Sequence, residues 1–285
     1  MLKVGSIMNR KLVTVPPECP VERAKWLLRE RKLRHLLVAE QERLVGVLSE
    51  RDLMEHPAPH SPRRKAATPP RIEVRDRMSV SLETVTAEEA AARACERLLA
   101  RRISCLPVVQ NGRLTGIVSE RDFLRLFVRV CRYAGHPPEL DPPVEVRMSR
   151  EVLTVPRGAK VGEAFEQCRA HSIRHLPVLQ DGWLVGVVSD RDLLPVIGRG
   201  EGDMRRVEDI MTKDYVAVLP GTPLSEVAEC MLRNGFHALP VVENGGLKGI
   251  VTSSDVLRAL CAIGEVELEK AFEEEAALDL ERIEP

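Results

Sequence analysis

Four short stretches carry residue types that could hold a ligand. They read Gly46-Val47-Leu48-Ser49-Glu50-Arg51-Asp52, Gly116-Ile117-Val118-Ser119-Glu120-Arg121-Asp122, Gly186-Val187-Val188-Ser189-Asp190-Arg191-Asp192 and Gly249-Ile250-Val251-Thr252-Ser253-Ser254-Asp255. Each sets a hydroxyl and a carboxylate three residues apart, directly after an apolar run. Two chemistries use that spacing. A Ser or Thr at a helix N-cap bonds a first-turn N–H while an acid three residues on reaches back, which needs no ligand. The same helix start offers N–H groups and the positive end of a dipole to a phosphate, and a nearby Asp accepts hydrogen bonds from ribose hydroxyls. Glu is the commoner capping partner, yet all four stretches use the shorter Asp. Spacing alone leaves both readings open.

The elements that position these groups repeat with them. Each terminal aspartate lies 44 residues beyond a methionine (Met8, Met78, Met148, Met211), and those methionines are 70, 70 and 63 residues apart. A period of that size means one supersecondary unit used four times. In the third unit Val152-Leu153-Thr154-Val155 predicts a short strand that Pro156 stops. Val161, Ala164, Phe165 and Cys168 follow at helical steps. His175-Leu176-Pro177-Val178-Leu179 predicts a second strand, Asp181-Gly182 a tight turn, and Leu184 to Val188 the antiparallel return. Ser189 then opens a second helix. Asn111-Gly112 and Gly245-Gly246 mark the same turn in units two and four, with Gln41-Glu42 a weaker version in unit one. The expected class is α/β, built from four β-α-β-β-α repeats of α+β type. The hairpin strands are continuous apolar runs, a sign of two covered faces. One unit has too little helix to cover both, so units are expected to pair into two modules, one with two and three with four.

The units are expected at 1–56, 72–130, 144–200 and 201–262. Linkers fall at 57–71 and 131–143, both proline-rich, and an acidic helical tail at 263–285. The first linker carries four basic residues that could touch a polyanion, against the simpler reading of a solvated connector. The tail has nine acidic residues against Lys270 and Arg282, and Leu268, Phe272, Ala276 and Leu280 recur every four residues. That stripe predicts a helix docked on its own module or on a second chain, with a solvated tail as the alternative. Net charge is −1, so no global field calls for nucleic acid or anionic lipid. No apolar run approaches the ~20 residues that span a bilayer, and no signal-peptide pattern opens the chain. Seven scattered cysteines without a CxxC point to reduced, buried thiols. No P-loop, GxSxG or HExxH is present.

The succession Met-x5-Thr-Val, helix, Arg-His-Leu-Pro-Val, turn, Gly-Val-Val-Ser-x-x-Asp resembles the cystathionine-β-synthase (CBS) domain, in four copies that cover most of the chain. The resemblance implies paired repeats that bind AMP, ADP, ATP or S-adenosylmethionine in the cleft between them. It assigns the terminal Asp to the ribose, the preceding Ser/Thr and the basic residue ahead of the Leu-Pro-Val strand to phosphate, and the first-strand Thr to the adenine. Unit three matches best, with Thr154, Arg174, His175, Ser189 and Asp192. Unit one offers Thr14, Arg34, His35, Ser49 and Asp52. Unit two keeps Thr84, Ser119 and Asp122 but has Ser104-Cys105 in place of Arg-His. Unit four has His237, Thr252 and Asp255, while Ala217 replaces its first-strand Thr. Two competent sites of four are expected. His35 and His175 also fit a structural role at a strand edge, and His171 and His175 are separated by a helix end, so no metal is expected. Arg51, Arg121 and Arg191 sit on a first helical turn, where a cation opposes the dipole; solvation or an anionic partner would relieve that misfit. The implied protein is a non-catalytic, cytoplasmic regulatory module, expected as a homodimer with a monomer of two modules packed into one four-repeat disc as the alternative, with an effector protein as a further partner and no membrane or nucleic acid. A scaffold without ligand, or a regulator of a nucleic-acid or transport partner, is the alternative.

Overall fold

The computed structural model describes residues 1–31, 33–53, 72–135, 137–270 and 272. Unit one contains α1 (Val4–Ile7), β1 (Thr14–Val15), α2 (Val21–Glu30), β2 (His35–Glu40) and β3 (Arg43–Ser49). Residues 50–53 form a turn, and the rest of the helix expected after Ser49 and the 57–71 linker lie outside the described residues. Unit two follows with α3 (Ala91–Arg101), β4 (Cys105–Gln110), β5 (Arg113–Ser119) and α4 (Glu120–Tyr133). Unit three has β6 (Val155–Pro156), α5 (Val161–Ala170), β7 (His175–Gln180), β8 (Trp183–Ser189) and α6 (Asp190–Gly198). Unit four has α7 (Leu224–Asn234), β9 (Ala238–Glu243), β10 (Gly246–Thr252) and α8 (Ser253–Cys261). No helix among the described residues is long and apolar enough to cross a membrane.

The expected order of elements is present, with local corrections. The first strand is only two residues long and runs parallel to the second, Val155 opposite Val178 and Pro156 opposite Leu179. Pro156 is therefore inside the strand; at an edge its missing N–H costs no ladder bond. In units two and four the first strand shrinks to a single bridge, Val85 to Val108 and Val218 to Val241. The unit-four turn is Asn244-Gly245 (φ 51° and 77°), one residue earlier than expected. Gln41 and Glu42 take φ of 47° and 68° in the same turn of unit one, a conformation that side chains disfavour and glycine does not. The second hairpin strand alternates buried and half-buried residues where continuous burial was expected. Helix α4 runs to Tyr133, three residues into the expected 131–143 linker, because Val130 and Cys131 are buried there.

Units pair as expected, and the repeated methionine does the pairing. Each hairpin has a bulge beside its glycine: Val38 opposes Gly46, for example, while Ala39 opposes Leu44. The bulged glycine faces the methionine of the neighbouring unit. A Cβ on Gly116 would lie 2.5 Å from Met8 Sδ, on Gly186 2.8 Å from Met211 Sδ, and on Gly249 2.5 Å from Met148 Sδ; Gly46 meets Met78 in the same way. Backbone bridges at Asn9–Ile117, Val47–Ser79, Ser149–Ile250 and Val187–Thr212 flank those contacts. The segment ahead of each first strand thus crosses to the partner unit. In the second module β8 also joins β10, giving one five-stranded sheet, β6-β7-β8-β10-β9.

The two modules pack on each other within the chain. Phe123 and Phe127 of α4, both fully buried, share one core with Leu224, Val227 and Met231 of α7 and with Val256, Leu257 and Leu260 of α8. Units one and three keep smaller cores of their own. The tail begins by docking on this body: Leu268 is buried, Arg129 of α4 lies 4.6 Å over the Phe272 ring, and the Met1 ammonium pairs with Glu269. Ala276 and Leu280 lie outside the described residues.

The methionine–glycine contacts generate a graded prediction. Gly249→Ala should cost roughly 2–3 kcal/mol in urea unfolding, because its Cβ would also lie 2.8 Å from the Ser149 carbonyl oxygen, which cannot move aside. Gly46→Ala, whose nearest obstacle is the flexible Met78 side chain, should cost less than Gly249→Ala, about 1 kcal/mol. Equal costs at both positions would contradict this account of pairing.

Candidate functional site

At the strand–helix junctions the capping box is present in all four units. The Asp Oδ2 accepts from the backbone N–H and hydroxyl of the residue three before it. The distances are 2.6 and 2.7 Å for Ser49–Asp52, 2.9 and 2.7 Å for Ser119–Asp122, 2.8 and 2.6 Å for Ser189–Asp192, and 2.8 and 2.7 Å for Thr252–Asp255. The cap uses one carboxylate oxygen, and the units differ in what meets the other. Arg125 Nη1 donates to Asp122 Oδ1 at 2.9 Å and Arg258 Nη1 to Asp255 Oδ1 at 2.7 Å. In unit three Pro195 stands at the arginine's position, and Asp192 Oδ1 has no hydrogen-bond partner among the described residues. The cap therefore leaves the second carboxylate oxygen of Asp192 open.

The N–H directly after the Ser or Thr of each junction bonds back to the residue just ahead of the second strand. Asp190 N reaches the Arg174 carbonyl at 2.9 Å, Glu50 N that of Arg34 at 3.1 Å, Glu120 N that of Ser104 at 3.0 Å, and Ser253 N that of His237 at 2.9 Å. His237 thus occupies the place of Arg34 and Arg174, whereas His35 and His175 open the strands themselves. These junctions converge on a cavity of about 700 Å³ to which all four units contribute. Of the sixteen expected residues, Arg34, His35, Ser49, Arg174, His175, Ser189, Asp192, His237, Thr252 and Asp255 line it. Thr14, Asp52, Thr84, Ser119, Asp122 and Thr154 do not.

The crossing of the chain decides which residues flank which junction. Because Ser149 pairs with Ile250, residues 149–153 of unit three flank the Thr252–Asp255 junction of unit four. Because Thr212 pairs with Val187, Thr212, Tyr215 and Val216 of unit four flank the Ser189–Asp192 junction of unit three. Each cleft is therefore composite, and residues grouped by unit in the sequence are not neighbours in one cleft. Tyr215, held by its hydroxyl donating to the Leu184 carbonyl at 2.8 Å, escapes sequence reading because nothing in its own unit repeats it.

Units one and three face each other across the cavity with opposite charges in register. Arg191 Nη2 lies 3.1 Å from Glu50 Oε2 and Arg51 Nη1 3.8 Å from Asp190 Oδ2. Arg121 Nη2 donates to the Leu232 carbonyl at 3.0 Å and Arg34 Nη2 to the Gly235 carbonyl at 2.6 Å, so both arginines hold the C-terminal end of α7. Partial burial, with Arg191 and Arg121 close by, lowers the Arg34 pKa to about 10. Glu120 is the buried counter-charge that the sequence did not reveal, since its motif position varies as Glu, Glu, Asp, Ser. Burial raises its pKa, but the hydrogen bond to His237 (Nδ1 at 3.3 Å) together with Arg174 and Arg34 holds it below the usual range.

Two central histidines, His35 and His175, are kept neutral by burial. Burial lowers His35 to about 4 and His175 to about 3, and it also lowers His237. His35 Nε2 lies 2.9 Å from the Ser104 hydroxyl, and buried His237 Nε2 has no partner among the described residues. No group of three His, Cys, Asp or Glu among the described residues could hold a metal ion. The arrangement offers guanidinium groups to an anion and an open carboxylate oxygen to hydroxyls. It also predicts an acid-sensitive fold. An unfolded His titrates near 6.5, so in ligand-free protein the unfolded chain takes up protons first and stability falls as pH drops from about 6.5 toward 4. The loss should be on the order of 2 kcal/mol per histidine, complete at His35 near pH 4 and at His175 near pH 3. His35→Gln should flatten part of that slope in urea midpoints measured against pH. An unchanged slope would contradict neutral burial of His35.

Comparisons with known proteins agree with the geometry. The CBS-domain model matches residues 4–58, 74–129, 144–199 and 207–262. An uncharacterised protein of Methanocaldococcus jannaschii is 26% identical over 274 residues, covering 88% of this chain and 95% of its own. The crystal structure of a Methanocaldococcus jannaschii protein described as an archaeal homologue of γ-AMPK superposes with a TM-score of 0.74. That match has 25% identity and covers 90% of this chain and 99% of the other. A conserved Pyrococcus horikoshii protein of unknown role shares the fold, with a TM-score of 0.63 at 23% identity over 91% of this chain and all of its own. Four matched domains, a repeated strand–helix junction and pairwise docked units together make this chain a member of the CBS-domain family.

Proposed function

We propose that the chain is a non-catalytic regulatory sensor that binds an adenine nucleotide, AMP, ADP or ATP, with its ribose at Asp192 and its phosphates in the central cavity. The observation that carries the reading is the open Asp192 oxygen beside a cavity lined by Arg34, Arg51, Arg174 and Arg191. A carboxylate acceptor next to clustered guanidinium groups suits a ligand with hydroxyls at one end and phosphate at the other. The same arginines disfavour S-adenosylmethionine, whose sulfonium is a cation. The likeness to a protein described as a γ-AMPK homologue supports the reading independently. Binding would act on geometry: an anion competing for Arg34 would release the Gly235 carbonyl, and one competing for Arg191 would loosen its bridge to Glu50.

All four units contribute to the cavity, and the faces of α3, α4, α7 and α8 that could pair with a second chain pack on each other within the chain. A homodimer would therefore join complete four-unit bodies through other surfaces. A cytoplasmic setting fits seven cysteines without a disulfide among them. The ligand-free scaffold is the second reading, favoured by the four complete capping boxes; an effector protein would serve either one.

Thermal melting with AMP, ATP, NAD and S-adenosylmethionine separates the two readings. A nucleotide at 100 times its Kd should add about 2.7 kcal/mol of stability, and S-adenosylmethionine should add less. No shift with any of the four supports the scaffold. Asp192→Asn keeps an oxygen for the cap and should weaken nucleotide binding by roughly 10-fold or more, since a hydrogen bond to a charged acceptor contributes about 1.5–3 kcal/mol. Asp255→Asn, whose second oxygen is already engaged by Arg258, should cost less. Arg174→Ala should weaken ATP steeply and adenosine little in titration calorimetry. Equal losses for the two ligands would move the phosphates away from Arg174.

A further inference from the structure

Eighteen residues beyond its methionine, each unit has one outward position on the helix that follows the first strand, and three units fill it with glutamate. Glu96 of α3 and Glu166 of α5 are exposed there, and Glu229 of α7 accepts from Arg132. Unit one has Trp26 instead, on α2 and 47% exposed. The Arg23 guanidinium lies 4.2 Å over its ring. Tryptophan and arginine are the residue types that interface hot spots favour, and a solvated helix face has no use for the indole.

Helix α2 also stands apart in its packing. Its buried side, Val21, Ala24 and Leu28, belongs to the separate core of unit one, whereas α3, α4, α7 and α8 share the core between the modules. Its outer side carries Glu22, Arg23, Glu30 and Arg31, all exposed, and none of the four has an ion pair among the described residues.

The placement of those four charges is self-complementary. Arg23 and Glu30 are two turns apart and fall on one line along the helix, with Trp26 and Leu27 on either side of it. Lys25 and Arg29 fall on the flank away from that line. Turned end over end about a point midway between Trp26 and Leu27, the helix sets Arg23 opposite Glu30 and Glu22 opposite Arg31. Trp26 then lies beside Leu27. Each ion pair forms twice, and no like charges of the set meet, as an isologous contact requires. The stacked Arg23 can keep one face on the indole while its N–H edge meets a carboxylate. An anionic surface would meet Glu22 and Glu30 along with the arginines, so the balanced charges favour a copy of the same helix.

We propose that the occupant of this face is α2 of a second copy of the chain, packed antiparallel about a two-fold axis between Trp26 and Leu27. The helix spans 10 residues, about 15 Å, so the contact is small and the homodimer is a weak one that forms with rising concentration. The seam between the modules takes no part, and each copy keeps its own cavity whole.

Sedimentation velocity of the full-length chain, from micromolar to submillimolar concentration, tests the proposal. A monomer–dimer equilibrium that weakens with added salt is expected. Trp26→Glu, which restores the residue of the other units at an exposed site, should weaken association by roughly 10-fold or more without lowering Tm. Arg23→Glu should do the same by facing Glu30 of the partner subunit. The double variant Arg23→Glu with Glu30→Arg re-forms the pairs with signs exchanged and should recover the original association to within roughly 3-fold. Those exchanged charges also suit the helix dipole, so α2 itself is not disturbed. A monomeric mass at every concentration would overturn the proposal, as would a dimer indifferent to Trp26→Glu. A double variant that associates no better than Arg23→Glu alone would overturn the antiparallel register.

Discussion

At four places a glycine that has no room for a Cβ lies against a methionine of the neighbouring unit, and the rest of the molecule depends on those close approaches. A unit of this size has one helical layer for two sheet faces, so its hairpin must be covered from elsewhere. The bulge beside each glycine opens the strand, the partner's methionine enters, and the segment that carries the methionine bridges to the hairpin backbone. Because the contact is reciprocal, each unit both gives and receives a methionine. The crossing also sends residues 149–153 and 212–216 into the other unit's cleft. A cleft therefore exists only in the pair.

The strand–helix junction answers two demands with one side chain. The aspartate secures the helix start through Oδ2 in every unit, and its remaining oxygen is engaged by an arginine one turn on in units two and four and left open in unit three. Pro195 decides the matter in unit three, since a proline at that position has no cation to offer. Around this junction the electrostatics are uneven. Arginines from units one and three crowd the cavity, His35 and His175 are held neutral by burial, and the half-buried Glu120 offsets part of the positive charge. An anion entering the cavity would relieve the mutual repulsion recorded in the lowered Arg34 pKa.

Residue types and spacing alone reveal the repeat period, the hairpins, the pairing of units and the Ser/Thr-x-x-Asp junctions, because each rests on local geometry. The features that stay hidden in the sequence depend on docking. Tyr215 and Leu153 reach a neighbouring unit's junction only through the chain's crossing, which no repeat of one unit records. Glu120, Glu50 and Asp190 acquire meaning only when units face one another. Arg51 and Arg191 are misfits against a helix dipole until each meets an acid of the opposite module. The one-residue slip of the Asn244-Gly245 turn shows the limit of local reading, since two adjacent glycines and an asparagine offer more than one place for positive φ.

The central claim is that the cavity's clustered arginines and the open Asp192 carboxylate bind one nucleotide together. Titration calorimetry of the ligand-free chain with ATP, repeated from low to high salt, tests it most directly. The account predicts saturable binding that weakens steadily as salt screens the phosphate contacts, with adenosine binding more weakly than ATP and showing little salt dependence. Absence of saturable heat at millimolar ATP, or equal salt dependence for ATP and adenosine, would contradict it.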